Sequence, residues 1–526
     1  MRQEYDLSQN KYDGISLLWK DTANKAYYTL SDEDIADLNI ETLSKYMSDE
    51  FKVQVQEHLA QVPLHIEDTL YRQQVVLDLC KNKDLYTTLF AYGEEGNRLM
   101  KLSKFAFEKE ATVYNLIKRM DEVETIKKMV EELLQVFSRA KPSSEGLRKY
   151  QELLEQIVNS KIYEAFTKDV QYIKSLEEGV KSLKIGINLN EYLQPEEAIL
   201  LEISDEEFNY GRFSKKLGYY VSATVNEIKT IPRKIFARET VMPPDALNTL
   251  EKTLEPATMQ LISFCDQFTM KILEVISVLH HELPYYRIAV EAYQLLVEKK
   301  LPCSMPVWGA DFHLHGMYHM DLGLRKPKEI VFNNFEIGED KKILILTGVN
   351  RGGKTTISQA LGQCIWFAQL GFYVPASTMS LTYISKILIH FPKEEDESVS
   401  YGRLGEECER FRKLFDEADA NSFFLMNESF SGTTHHESLQ ISIETLRGIE
   451  KKGAYVLFNT HLHELYEQLC EVANSKGIES YIAGANMKES PYLVEKGRPL
   501  GKSHAREIAN RYGMSFEKLM EAYAPK

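Results

Sequence analysis

The sequence predicts a mainly α-helical region followed by an α/β domain, and three features carry that prediction. Between residue 66 and about 305, apolar residues recur at spacings of three and four, the period of amphipathic helices. From about Ile330, short β-branched runs alternate with helical stretches, as in α/β nucleotide-binding domains. Within that second region an apolar run, Lys342-Ile343-Leu344-Ile345-Leu346-Thr347, leads through a glycine-rich loop into a helix. Together they predict a C-terminal α/β P-loop NTPase domain preceded by a mainly α-helical lever or clamp domain.

Bulk properties bound the function. At 526 residues with 44% apolar content, the chain can build two to four domains with sizeable cores. No run of about 18 uncharged apolar residues occurs, so no membrane span is expected. Met1-Arg2-Gln3-Glu4-Tyr5-Asp6 does not read as a signal peptide. Cys80, Cys265, Cys303, Cys364, Cys408 and Cys470 are scattered with no CxxC pair, which suits a reducing cytoplasm and argues against a zinc-thiolate site. The net charge of −15 excludes indiscriminate nucleic-acid coating, though not binding through a local basic face.

Along the chain, residues 1–65 form a small region of unassigned role, with an expected strand at Ile15–Trp19 and a helix near Asp32–Met47. Residues 66–305 read as the helical core and lever. Val113, Leu116, Ile117, Met120, Val123, Ile126, Met129, Val130, Leu133 and Leu134 mark one long helix, which Lys141-Pro142-Ser143-Ser144 breaks. A second helix is expected from about Gly146 to Ser182. Two strand-like runs follow, Lys184–Leu189 and Ala198–Ile203, in a clamp region around 185–240. A further helix is expected from Pro243 to Leu279, then punctuation at Glu282-Leu283-Pro284 and another helix to Lys299. Residues 306–526 read as the ATPase domain with closing helices.

Gly348-Val349-Asn350-Arg351-Gly352-Gly353-Lys354-Thr355 fits GxxxxGK[ST], with Thr356 next. Glycines let the backbone curl so that its N–H groups converge on phosphate oxygens, and the following helix adds its positive end. Lys354 is expected to reach the β- and γ-phosphates of ATP, and the Thr355 hydroxyl to sit on Mg²⁺. Phosphoryl transfer also needs a polar group at the metal and one that orients water. The apolar run Ser422–Met426 ends in Asn427-Glu428, offering Asn427 as a neutral metal ligand and Glu428 as base and metal neighbour. Tyr455–Phe458 ends in Asn459-Thr460-His461. A lone histidine there would more often be structural, but beside the loop and Glu428 it reads as a γ-phosphate sensor.

These motifs, in this order, resemble those of the MutS family of DNA mismatch-repair ATPases. Gly348–Thr356 looks like that family's GPNMGGKST loop, and Tyr373-Val374-Pro375-Ala376 matches its YVPA segment. Leu425-Met426-Asn427-Glu428 with Ser431-Gly432-Thr433-Thr434 resembles LMDE followed by RGTST, and Phe458-Asn459-Thr460-His461 with Glu464-Leu465 resembles ATHYFEL. Gly501-Lys502-Ser503-His504-Ala505 resembles the start of the closing dimerisation helices. Upstream, Ile330-Val331-Phe332-Asn333 matches the segment the family folds over adenine, Leu183–Asn188 the strand leading into its DNA clamp, and Arg72–Val76 the start of its core.

The resemblance implies a homodimer with ATP and Mg²⁺ buried between ATPase domains, levers closing on duplex DNA that is mismatched or branched, and a possible repair-protein partner. Departures are specific. A Gly-Arg-Ser-Thr segment completes the neighbouring site in the family, whereas Gly402-Arg403-Leu404-Gly405 lacks both hydroxyls. Residues 1–65 are too short for the family's mismatch reader and hold no Phe-x-Glu, so the sequence reads as a shortened member. The one occurrence, Phe415-Asp416-Glu417, reads as helix surface and core, and no nuclease module is recognised.

The richest basic interval is Arg212, Lys215, Lys216, Lys229, Arg233, Lys234 and Arg238, with Tyr219 and Tyr220. It reads equally as a DNA-contacting lever tip and as the solvated face of a helical arm. Two functional readings stand: a DNA-clamping ATPase, and an ATP-switched protein-interaction module with weak or no hydrolysis. Long coiled arms would need uninterrupted heptads, which Lys141–Ser144 and the prolines cut.

Overall fold

The computed structural model describes residues 15–49, 51–106, 113–160, 163–164, 167–168, 182–189, 191, 195–204, 244–309, 312–338, 340–349, 351–393, 402–473, 475–484, 492–499, 512–514 and 516–521. They fall into two compact units. One gathers Asp84–Lys141 and Arg148–His281, and the other Ser16–Lys83, Pro142–Leu147 and Glu282 onward. This division differs from the boundaries at 65/66 and 305/306 suggested by texture, because contacts rather than helical content define a unit.

The first unit is helical. Helices Lys83–Ala106, Val113–Ala140 and Glu145–Val158 pack with part of the 55-residue helix Pro244–Glu298. Val123, Ile126, Met129, Val130, Leu133 and Phe137 fill its core with Tyr150, Leu154, Ile272 and Ile276. Gly93 and Gly96 permit close helix packing there: a Cβ at Gly93 would lie 3.0 Å from the His280 backbone nitrogen, and one at Gly96 would collide with Ile276. An antiparallel hairpin joins Ser182–Leu189 to Pro195–Ser204, with register shifts at Lys184/Ile185 and Asn188/Leu189.

The second unit holds a small antiparallel pair, Tyr27–Thr29 with Gln61–Pro63, and two larger sheets. The strands of the larger sheets, in chain order, are β1 Val307–Trp308, β2 Phe312–Met317, β3 Asn333–Ile337, β4 Ile343–Gly348, β5 Thr378–Leu381, β6 Ile387–His390, β7 Phe423–Asn427, β8 Tyr455–Asn459, β9 Ile478–Ala483 and β10 Val494–Lys496. A four-stranded sheet runs β1-β5-β2-β3, and a six-stranded sheet runs β6-β7-β8-β4-β9-β10. In the larger sheet every pairing is parallel except β9 with β10. Strands β4, β6, β7 and β8 are buried throughout, as the helix-covered parallel sheet of an α/β domain requires. Registers Asn427↔Asn459 and Asn459↔Leu346 bring the carboxyl ends of β7, β8 and β4 together, the edge where ligands collect in open α/β sheets.

Residues 16–64, whose role the sequence left open, lie along the helix Lys354–Gln369. Gln359 and Gln363 donate to the carbonyls of Asp37 and Leu38 (2.9 Å each), Trp366 Nε1 to that of Leu59 (3.3 Å), and Tyr28 OH to Gln369 Oε1 (3.0 Å). Ile15–Trp19 is not a strand. The Leu17 N–H bonds to the Glu282 carboxylate and the Leu18 and Trp19 N–H groups to Ser16 Oγ, so side chains replace a ladder. The expected helix at Asp32–Met47 is a short helix Asp32–Asp37 and a 3₁₀ turn Glu41–Lys45, parted where Asn39 takes a positive φ of 56°. The predicted stop at Glu282–Pro284 is also corrected, since one helix passes through Pro284. A helix-interior proline costs about 3 kcal/mol. Burial of Leu283, Tyr285, Tyr286, Ile288, Ala289 and Val290 offsets it. The break after Ala140 is real: Lys141 has a φ of 46°, and Asp78 accepts from Ser143 Oγ (3.0 Å) and the Ser144 N–H (2.7 Å).

Candidate nucleotide site

The loop after β4 has the shape of a phosphate cradle. Gly348 has a φ of 145° and lies so close to Ala483 that a Cβ would collide with its carbonyl. Gly353 takes the left-handed conformation (φ 82°) at the start of the helix, and Arg351, exposed, has a φ of 67°. The Gly352 N–H closes a turn on the Val349 carbonyl (3.0 Å). A Cβ on Gly352 would sit 3.0 Å from that same oxygen. Asn350 lies outside the described residues.

Lys354 is 6% exposed and Thr355 is exposed at the helix start, with Thr356 half-buried behind it. Burial pushes the Lys354 ammonium below its ordinary range, and the Glu428 charge opposes that shift. Its Nζ lies 3.4 Å from His461 Nε2, and among the described residues no carboxylate is within ion-pair distance. A desolvated cation beside a glycine cradle that side chains would fill fits a bound polyphosphate.

The acidic position completes the arrangement. Thr355 Oγ1 donates to Asn427 Oδ1 (3.3 Å), which also accepts from Asn459 Nδ2. The Glu428 N–H bonds to the Asn459 carbonyl (2.8 Å), and Glu428 has a φ of 49°, a strained conformation for a non-glycine residue. The Glu428 carboxylate meets His461 Nε2 at 2.8 Å. That hydrogen bond holds its carboxyl below the usual range; burial opposes, and the His461 and Lys354 charges reinforce it. Lys354, Thr355, Asn427, Glu428 and His461, read from separate segments, therefore converge on one sheet edge.

Other sequence-chosen residues take different places. Ile330 and Val331 are half-buried, and Phe332 is 41% exposed with its ring edge-on to Tyr318 at 5.7 Å. Asn333 opens β3, donating to the Tyr492 carbonyl (3.2 Å) and accepting from the Val494 N–H (2.7 Å). Sequence reasoning missed Asn459, despite its position at a strand end, and Tyr492, whose ring packs 3.3 Å from the Cβ position of Gly353. It also missed His390: buried in β6, it meets Ser429 Oγ (2.7 Å) and the Glu407 carbonyl (3.0 Å). Arg403 of the Gly402–Gly405 segment meets Ser431 Oγ at 3.3 Å and Glu407 at 3.2 Å within the same chain. Phe415 is half-buried under Lys452, whose Nζ is 4.3 Å from the ring centroid, so that Phe-x-Glu match belongs to helix packing. Arg212, Lys215, Lys216, Lys229, Arg233, Lys234, Arg238 and Gly501–Ala505 lie outside the described residues.

A family model described as MutS domain V matches residues 344–515, which contain every group of the cradle, and one described as MutS2 N-terminal domain matches residues 64–299. The chain belongs to the MutS family. Domain V is the P-loop ATPase domain of MutS proteins, so the parallel sheet and its loop are that domain. Similar curated proteins are named Endonuclease MutS2. That of Thermus thermophilus is 27% identical over 237 residues, 44% of this chain and 30% of the relative. That of Staphylococcus carnosus is 30% identical over 196 residues, 37% of this chain and 25% of the relative. That of Ligilactobacillus salivarius is 27% identical over 277 residues, 52% and 33%. The matches thus span a quarter to a third of the length of these MutS2 proteins. Among the described residues, no helix is long and apolar enough to cross a membrane.

Proposed function

We propose that the chain is an ATP-dependent DNA-binding protein of the MutS type, which clamps duplex, mismatched or branched DNA through an ATP-switched homodimer and hydrolyses ATP slowly. The observation that carries this reading is Lys354, a buried cation without a carboxylate partner among the described residues, at the mouth of a glycine cradle. Lys354 and the loop amides would hold the phosphates, and Thr355 with Asn427 would hold Mg²⁺. When bound, Mg-ATP supplies the transferable phosphoryl group and the negative charge that Lys354 lacks. Glu428 would take the proton of the attacking water, with His461 fixing its orientation.

Slow turnover follows from two features of the chain. Asn427 brings no charge to the metal, and a Glu428 carboxyl held below its ordinary range is a weak base at neutral pH. Residues 66–305 are proposed as the core and lever, with DNA contacts in the basic interval 212–238. The name Endonuclease belongs to whole relatives of which only a part is matched, and strand cleavage is not included in this proposal. Binding of the full chain to homoduplex, mismatched and four-way DNA, with and without Mg-ATP across a salt series, tests the reading. ATP-sensitive affinity that falls steeply with salt is expected. Its absence on all three substrates at low salt would remove the DNA role. A stable partner captured from nuclease-treated lysate would then favour the interaction-module reading, which the net charge of −15 motivates.

A further inference from the structure

Strands β2 and β3 carry a cluster away from the nucleotide cradle. His313 and His315 stand two residues apart on β2, so they project from one face of the four-stranded sheet, and the register places Glu336 of β3 directly opposite His313. One ligand atom from each of the three side chains lies within 4.8 Å of the others. His315 Nε2 is 3.8 Å from Glu336 Oε1, and the two imidazoles are nearly parallel, 9° apart with centroids 6.5 Å distant. Both histidines are half-buried and Glu336 is exposed, so the cluster has a floor and an open side.

We propose that His313, His315 and Glu336 form a binding site for a divalent transition-metal ion of the Zn²⁺ class. Two imidazoles and one carboxylate suit such a borderline ion, whereas Mg²⁺ and Ca²⁺ favour all-oxygen ligands. Tetrahedral bonds of about 2.0–2.1 Å put donor atoms roughly 3.4 Å apart. A bound ion would draw together the three ligand atoms, which now lie within 4.8 Å of one another, and the exposed Glu336 side would leave a fourth position to water. Lys496 Nζ lies 3.6 Å from Glu336 Oε2 and 3.5 Å from Glu479. It thereby holds the outer carboxylate oxygen and turns Oε1 toward the histidines, the kind of outer contact that orients metal ligands. The ion would crosslink β2 to the strand whose first residue, Asn333, is tied to Tyr492 beside the phosphate loop.

The test is titration of the chelator-stripped full chain with Co²⁺ and then Zn²⁺, read by cobalt ligand-field absorption and by equilibrium dialysis. One ion per chain, a tetrahedral cobalt spectrum and displacement by Zn²⁺ are expected. His313→Ala, His315→Ala and Glu336→Gln should each weaken uptake more than about 100-fold, beyond the 10–100-fold cost of losing an outer contact. Lys354→Met should leave uptake unchanged. Circular dichroism checks folding, and the near-isosteric Glu336→Gln supplies the readout should a histidine variant unfold. Absence of saturable uptake by the parent chain overturns the proposal, as does uptake that survives all three substitutions.

Discussion

His461 Nε2 stands 2.8 Å from Glu428 Oε1 and 3.4 Å from Lys354 Nζ, so one imidazole joins the proposed base to the proposed phosphate ligand. The three residues come from the ends of two strands and the start of a helix. On the proposed roles, their proximity would couple nucleotide binding to the state of the base, because phosphates drawing on Lys354 would change the charge that His461 and Glu428 face.

Glu428→Gln is expected to keep Mg-ATP affinity and to lower single-turnover hydrolysis by at least about 100-fold, the lower end of general-base contributions. The ATP-bound dimer should accumulate, measurable by light scattering with added nucleotide. Turnover at the parent rate would show that another group activates water.

His461→Ala releases the carboxyl of Glu428. A carboxyl whose folded-state pKa is depressed contributes stability above its unfolded value, and loses it as pH falls through the folded value. For Glu428 that window lies below the ordinary 4.5, with the His461 hydrogen bond as its largest cause. Without His461 the pKa rises, so the acid limb of the single-turnover pH profile should move to higher pH. An unmoved limb would assign it to a different group.

Lys354→Met should abolish saturable Mg-ATP binding in calorimetry, a loss of at least about 100-fold from removing a charge-assisted contact. Because burial disfavours the ammonium, the nucleotide-free variant should melt at or above the parent temperature. A variant that binds as before would dismiss the cradle.

His390, buried between Ser429 and the Glu407 carbonyl, is pushed down from 6.5 to about 4 by burial first and by the Arg410 charge second. A histidine depressed in the fold destabilises it as pH falls, since the unfolded chain takes the proton first. The loss accumulates between pH 6.5 and 4 and reaches about 3 kcal/mol, at 1.36 kcal/mol per pKa unit. His390→Gln should flatten this part of a denaturant-melt series against pH, and equal slopes would refute the assignment.

The P-loop, the acidic strand end and the histidine strand end were legible from sequence because each is local: a strand, its terminal residue and the turn after it. Helical periodicity likewise marked Val113–Ala140. Long-range contacts were not legible. Ile15–Trp19 has the composition of a strand, yet its N–H groups go to Ser16 and to Glu282, some 265 residues away. Pro284 carries a stop signal that buried packing on both sides outweighs. The basic interval 212–238 lies outside the described residues and stands as a sequence reading.

The sequence by itself determined the cradle, since glycine freedom, a lysine and a helix start are chemistry that neighbouring residues impose on one another. Only the tertiary structure decided that residues 16–64 lie along the cradle's helix, that His461 bridges Glu428 and Lys354, and that His313 and His315 face Glu336. Those relations join segments distant along the chain, and only folding brings such segments to within a few ångströms.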